Sequence, residues 1–215
     1  MDYFCLRIDS VLIEDPLQFM KQRIAILASG DGTNAENIIR FFEDHQHVEV
    51  SLVATNKATA GVIERAERLG VEALVFNREQ LKDVAGLLAE LKTRKIDFVV
   101  LAGFLLMIPH HLIEAFPEHM INIHPALLPK FGGKGMYGMH VHRAVKEKGE
   151  TETGITIHLV NEHYDQGAIL FQSKVEVSPG DSPEQIAEKV HQLEYQYYPK
   201  VIEQMVRNTS QIDHG

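Results

Sequence analysis

Asn122 and His124 stand two residues apart in the run Met120-Ile121-Asn122-Ile123-His124-Pro125, Asn122 between two β-branched isoleucines and His124 between Ile123 and Pro125. A strand returns its side chains to the same face every two residues, so both polar groups point the same way. Pro125 biases His124 toward the extended region and, with Pro129, ends the strand, which leaves the imidazole at its C-terminal edge. Ligands of α/β sheets gather at that edge. The asparagine amide can donate to an oxygen that gains charge, and the histidine can donate as well or move a proton near neutral pH. Such a pair suits acyl or formyl transfer better than metal binding. Taken alone it also fits a packing or turn feature, so its company has to decide.

That company includes a second polar stretch, Ser29-Gly30-Asp31-Gly32-Thr33-Asn34, between a short apolar run and a helical pattern. A strand leading through such a turn into a helix aims backbone N–H groups and the positive end of the helix dipole at one point, normally a phosphate. The spacing is not the G-x-G-x-x-G of dinucleotide sites, since residue 35 is alanine, and the Lys-Ser/Thr of a triphosphate loop is missing. A glycine-rich connection that binds nothing is the bland alternative. A third candidate, Asp165, lies in Glu162-His163-Tyr164-Asp165-Gln166-Gly167. By default it is a solvated turn residue; folded over the end of the Asn122 strand, its carboxylate would orient His124 and favour the protonated ring. Twelve histidines invite a metal reading, yet the pairs His45/His47, His110/His111 and His140/His142 join no ligand cluster of recognised spacing, and no metal is expected. Tyr195, Tyr197 and Tyr198 fall at helical spacing and read as packing residues.

The elements that must position these groups alternate along the chain. Strand patterns at 23–28, 48–54, 72–76 and 98–102 are separated by helical patterns at 35–42, 60–69 and 79–94. Repeated strand, turn and helix imply a Rossmann-like α/β fold: an open, mostly parallel twisted sheet with helices on both faces. Residues 130–138 hold four glycines in nine positions and form a mobile or ligand-shaped loop, followed by a helix at 139–148. Strands at 153–160 and 168–177, joined by a short polar turn, read as a late antiparallel extension. Ser182 should cap the last helix with Pro183 in its first turn, and Pro199 should kink or end it. Residues 1–22 read as a peripheral extension, 23–206 as one domain, and 207–215 as a tail without apolar pattern.

The bulk properties fit this outline. The 215 residues suffice for one substantial core, and 45% hydrophobic with 24% charged residues is ordinary for a globular protein. A formal net charge of -9 argues against a nonspecific nucleic-acid binder while leaving room for a small anionic substrate in a local pocket. The single cysteine, Cys5, cannot form an intrachain disulfide, and neither a membrane span nor a secretory signal is apparent, so a cytoplasmic location is expected. A homodimer, with residues 1–22 as an arm on the second subunit, stays open.

With these motifs in place the chain resembles the phosphoribosylglycinamide formyltransferase family of folate-dependent enzymes. The likeness rests on Ser29-Gly30-Asp31-Gly32-Thr33-Asn34, on Val100-Leu101-Ala102-Gly103-Phe104, on Asn122-Ile123-His124-Pro125-Ala126-Leu127-Leu128-Pro129, and on Asp165-Gln166-Gly167-Ala168-Ile169-Leu170 with Gly180-Asp181-Ser182 downstream. The resemblance implies attack of a primary amine of glycinamide ribonucleotide on the formyl carbon of 10-formyltetrahydrofolate, as co-substrate. It implies that Asn122 and His124 stabilise the oxyanion, that Asp165 pairs with the imidazole and relays protons, and that Gly30, Asp31, Gly32, Thr33 and Asn34 hold the substrate phosphate. Glu194 would bind the ribose; Phe104, Leu105, Leu106, Met107, Ile108, Tyr164 and Asp165 would line the folate site; and Leu128-Pro129 would be cis. Two departures stand out. Leu105-Leu106-Met107 lacks the arginine of many relatives, and the 132–138 loop is longer than usual, with Lys134 either a substitute positive charge or a solvated lysine on a flexible loop. Similar cores occur in methionyl-tRNA formyltransferases, with a further C-terminal domain, and in formyltetrahydrofolate deformylases, with a small preceding domain; neither addition is expected here. The deformylase and a noncatalytic folate- or nucleotide-binding module are the alternatives.

Overall fold

In the computed structural model, which describes residues 21–212 with side chains to residue 208, the alternation becomes a defined series of elements. These are β1 (Gln22–Leu27), α1 (Thr33–Phe42), β2 (Val48–Thr55), α2 (Val62–Arg68), β3 (Ala73–Val75) and α3 (Arg78–Lys82). A π-helical turn (Val84–Leu88), α4 (Ala89–Thr93), β4 (Phe98–Leu101), α5 (His110–Ala115) and β5 (Met120–His124) follow. The series closes with α6 (Met139–Glu147), β6 (Glu152–Leu159), β7 (Ile169–Glu176) and α7 (Pro183–Ile212). One seven-stranded sheet runs in the order β3-β2-β1-β4-β5-β6-β7. The first five strands are parallel, and β6 and β7 add antiparallel. The Rossmann-like outline with a late antiparallel extension is therefore the fold.

Parallel strands buried on both faces need helices on both faces, and the core divides accordingly. Ile24, Ile26, Phe98, Val100, Ile121, Ile123, Ile155 and Ile157 pack with α1 and α7 on one side. Ala25, Leu27, Leu52, Val99, Leu101 and Met120 pack with Leu81, Leu87, Leu91 and Leu112 on the other. Tyr198, buried in α7, donates its hydroxyl to the Leu101 carbonyl at 2.9 Å and so ties the helix to the centre of the sheet.

Four features depart from the sequence reading. β1 begins at Gln22, whose N–H donates to His47 O at 2.8 Å, so the sheet starts one residue before the expected boundary; the peripheral reading of residues 1–20 lies outside the described residues. The single helix expected at 79–94 is broken: Asp83 is extended and caps Ala85, and Gly86 sits where a Cβ would lie 2.0 Å from Gln80 O. The short α5 after Pro109 had no periodic signal long enough to reveal it. α7 neither ends at Pro199 nor stops at residue 206 but runs to Ile212. Proline at 199 leaves the Tyr195 carbonyl without its helical donor, and the side-chain amide of Asn37 in α1 donates to it at 3.0 Å. The start of α7 is as expected, with Ser182 and Gln185 exchanging side-chain and backbone hydrogen bonds in a capping box.

Candidate active site

The strand order reverses between β1 and β4, and α/β sheets place ligands beyond the carboxyl ends of the strands at such a point. A cleft of about 710 Å³ opens there. Its walls hold Gly30, Asp31, Gly32, Thr33 and Asn34 after β1, and Phe104, Leu105, Leu106, Met107 and Ile108 after β4. Asn122 and His124 of β5, Tyr164 and Asp165 of the β6–β7 loop, and Glu194 of α7 also line it. Every candidate site residue named from the sequence thus borders one cavity. Ser29 joins two of its walls: its N–H donates to Gly103 O at 3.1 Å, and its hydroxyl accepts the Leu105 N–H at 3.0 Å.

The polar centre follows from strand register. Ile121 and Ile123 turn into the core, while Asn122 and His124 lie on the opposite face, directly across from His158 and Thr156 of antiparallel β6. The Asn122 amide donates to His158 Nε2 at 3.1 Å, and His158 Nδ1 faces the Leu159 carbonyl at 2.8 Å. A carbonyl only accepts, so the His158 proton sits on Nδ1 and Nε2 receives the amide. Thr156 secures the turn after His124: its hydroxyl donates to Ala126 O at 2.7 Å and accepts from Leu128 N at 3.0 Å and Gln172 Nε2 at 2.8 Å. The Leu128–Pro129 bond in that turn is cis.

His124 is 3% exposed, with Nε2–H donating to Phe131 O at 2.7 Å and Nδ1 lying 3.5 Å from Asp165 Oδ2. Burial pushes its pKa below the ordinary histidine value, against the opposing pull of Asp165 and the Phe131 carbonyl. Asp165 is in the left-handed region, φ 56°, which aspartate tolerates better than most residues. Its Oδ2 accepts the Gly133 N–H at 2.8 Å, and Oδ1 lies 3.7 Å from His158 Nε2. Burial raises the Asp165 pKa, but His124 and the Gly133 N–H pull the other way, and the carboxyl is held below the usual aspartate value. The glycine-rich loop is therefore docked on the carboxylate, and a Cβ at Gly132 would come within 2.5 Å of Leu128 Cδ2.

A family model described as formyl transferase matches residues 22–202. The chain belongs to the formyl transferase family. Phosphoribosylglycinamide formyltransferase of Arabidopsis thaliana, a chloroplastic protein, is 43% identical over 188 residues, 85% of this chain. The chain spans 64% of that relative's length. Phosphoribosylglycinamide formyltransferase of Bacillus subtilis (strain 168) is 33% identical over 190 residues, covering 86% of this chain and 95% of the relative. The crystal structure of glycinamide ribonucleotide transformylase 1 from Geobacillus kaustophilus superposes with a TM-score of 0.79 at 35% identity, over 87% of this chain and 100% of that one.

The end of the cleft near α7 carries a second cluster. Glu194 Oε2 accepts the Asn34 amide at 2.8 Å and faces His191 Nδ1 at 3.2 Å, which raises the His191 pKa. His142, at the start of α6, is 2% exposed and its Nδ1 has no hydrogen-bond partner among the described residues. Burial, reinforced by His191, pushes it down to about 4. Sequence reasoning weighed His142 only as half of a rejected metal pair and gave His158 and His191 no role at the site; only His158 had a legible signal, its place in an alternating strand that could pair with the Asn122 strand. The segment that lacks the family arginine presents Leu105 and Met107 to solvent on the cleft wall, and exposed Lys134 lines the same cavity. Among the described residues no three His, Cys, Asp or Glu side chains converge as metal ligands, and no helix is long and apolar enough to cross a membrane.

Proposed function

We propose that this formyl transferase moves the formyl group of 10-formyltetrahydrofolate to the primary amine of glycinamide ribonucleotide, giving the N-formyl ribonucleotide and tetrahydrofolate in purine biosynthesis. The observation that carries the reading is the convergence of Asn122, His124 and Asp165 on a cleft that is also lined by the glycine-rich turn before α1. The activities named for the relatives point the same way. The ribonucleotide phosphate lies at residues 30–34, where the first N–H groups of α1 have no helical acceptor and the N-cap, Gly32, has no side chain to take them. Its ribose hydroxyls meet Glu194. The folate ring system lies along residues 104–108 and Tyr164, where the wall is mainly apolar.

The substrate amine attacks the formyl carbon and its lone pair forms the new C–N bond, while the carbonyl π electrons move to oxygen. One Asn122 N–H is held by His158, and the other is free for that oxyanion. His124, protonated on Nδ1 toward Asp165, adds positive charge and offers the Nε2–H that at rest meets Phe131 O. The proton lost by the attacking nitrogen passes to folate N10 with Asp165 and water as relay; the C–N10 bond then breaks and the carbonyl re-forms. Incubation with 10-formyltetrahydrofolate, with and without glycinamide ribonucleotide, tests the reading. Tetrahydrofolate should appear only with the amine, and the formyl group should be recovered on the ribonucleotide. Free formate at an equal rate without acceptor would instead make the protein a deformylase.

A further inference from the structure

Two carboxylates stand beside the turn at residues 30–34, where a phosphate dianion is unwelcome unless they are neutralised. Asp31 lies within the turn and lines the cleft; Glu36 lies in the first turn of α1. Arg65 of α2 reaches both. Its Nε donates to the Asp31 carbonyl at 2.8 Å, one terminal nitrogen to Asp31 Oδ2 at 2.6 Å, and the other to Glu36 Oε2. Arg68 and Arg40 complete the cluster at 2.9 Å from the Glu36 oxygens, so three guanidinium groups face two carboxylates.

The backbone contacts beneath the turn are equally close. The Val62 N–H donates to Gly30 O at 3.2 Å. Gly61 sits close against Asp31, where a Cβ would lie 2.7 Å from Oδ1 and 3.3 Å from the Asp31 backbone. Gly32, at φ +83°, would drive a Cβ to 2.4 Å from Val62 Cγ2. Strand β1, the turn and the start of α2 therefore interlock, with Arg65 holding the carbonyl and the carboxylate of Asp31 together on the side of α2. In a trans peptide the Gly32 N–H points opposite to the Asp31 carbonyl, so holding that carbonyl toward α2 turns the Gly32 N–H away from α2.

We infer that Arg65 is a positioning residue for substrate phosphate: it neutralises and orients Asp31 so that the turn can accept a dianion, without touching the substrate itself. The inference rests on the placement of the ribonucleotide phosphate at this turn. Arg65→Ala should raise KM for glycinamide ribonucleotide by about tenfold or more, with kcat and KM for 10-formyltetrahydrofolate within about twofold of wild type, since a lost charge interaction of this kind acts on binding. The effect should run through Asp31. Measured in an Asp31→Asn background, the same Arg65→Ala change should alter KM by no more than about threefold, because no unpaired carboxylate remains to repel the phosphate. Arg65→Lys keeps a charge but cannot bridge all three acceptors, and should give an intermediate KM that remains informative if the alanine variant fails to fold.

Direct titration separates the two ways of being wrong. If wild-type protein binds glycinamide ribonucleotide in calorimetry and Arg65→Ala and Arg65→Lys bind it equally well, the assignment to Arg65 falls while the substrate reading stands. An undiminished Arg65→Ala effect in the Asp31→Asn background would also overturn it and leave Arg65 as a strut for α2. If wild-type protein binds no ribonucleotide at all, both readings fall.

Discussion

Replacing Asp165 by asparagine removes one charge from the centre of the cleft and little else. The carboxylate side chain is 11% exposed and its Oδ2 lies 3.5 Å from His124 Nδ1. Two unit charges at that separation attract by roughly 5 kcal/mol at an effective dielectric near 20. Asparagine has the same shape and can still accept the Gly133 N–H, and its amide dipole returns part of the attraction to a charged ring. A net loss of about 3 to 4 kcal/mol falls on states with protonated His124, or roughly 10²- to 10³-fold in kcat. The carboxylate raises the His124 pKa against burial, so its removal lowers that pKa further and a smaller fraction of the ring is protonated near neutrality. Steady-state rates at saturating concentrations of both substrates, measured across pH, should therefore show a depressed kcat with KM values little changed and a transition displaced to lower pH. A kcat within about threefold of wild type would refute the reasoning and return Asp165 to a loop residue that anchors Gly133.

Asn122→Ala removes a donor to an oxygen whose charge develops only during reaction, so kcat should fall on the order of 10²-fold with unchanged ribonucleotide affinity by calorimetry; lost binding with preserved turnover would make Asn122 a binding residue. His142 predicts an acid-labile fold: its folded pKa of about 4 lies below the unfolded value near 6.5, so the unfolded chain takes up its proton first and stability is lost as pH falls from about 6.5 toward 4. Between pH 7 and 5 this amounts to about 2 kcal/mol, and denaturant titrations should show wild type losing that much more than His142→Gln over the same interval. Equal losses in the two proteins would remove His142 as the cause.

Where a signal is local, the sequence carries it. The face shared by Asn122 and His124 follows from strand geometry alone, and the docking of Pro125 and Pro129 at the strand end follows from what proline does to its own backbone and its predecessor's. The residues misread or missed depend on partners far along the chain. Leu81, Leu87, Leu88 and Leu91 keep a helical rhythm and enter one core cluster, so nothing in the pattern reveals the break that the approach of Gly86 to Gln80 imposes. Pro199 is a helix breaker by the local rule, and it is tolerated because Asn37, in another helix, supplies the donor that Tyr195 O lacks. His158 belongs to the same class with a greater consequence. Its own strand presents it as one polar position among several, and only the antiparallel register Asn122↔His158 places it at the site. That register then determines what Asn122 can do. The Leu159 carbonyl requires the His158 proton on Nδ1, the bare Nε2 requires a donor, and the Asn122 amide must turn its nitrogen that way. An asparagine whose nitrogen is held in one direction by a neighbouring ring has one N–H left, already aimed, and an oxyanion donor is useful to the extent that no reorganisation is needed when the charge appears.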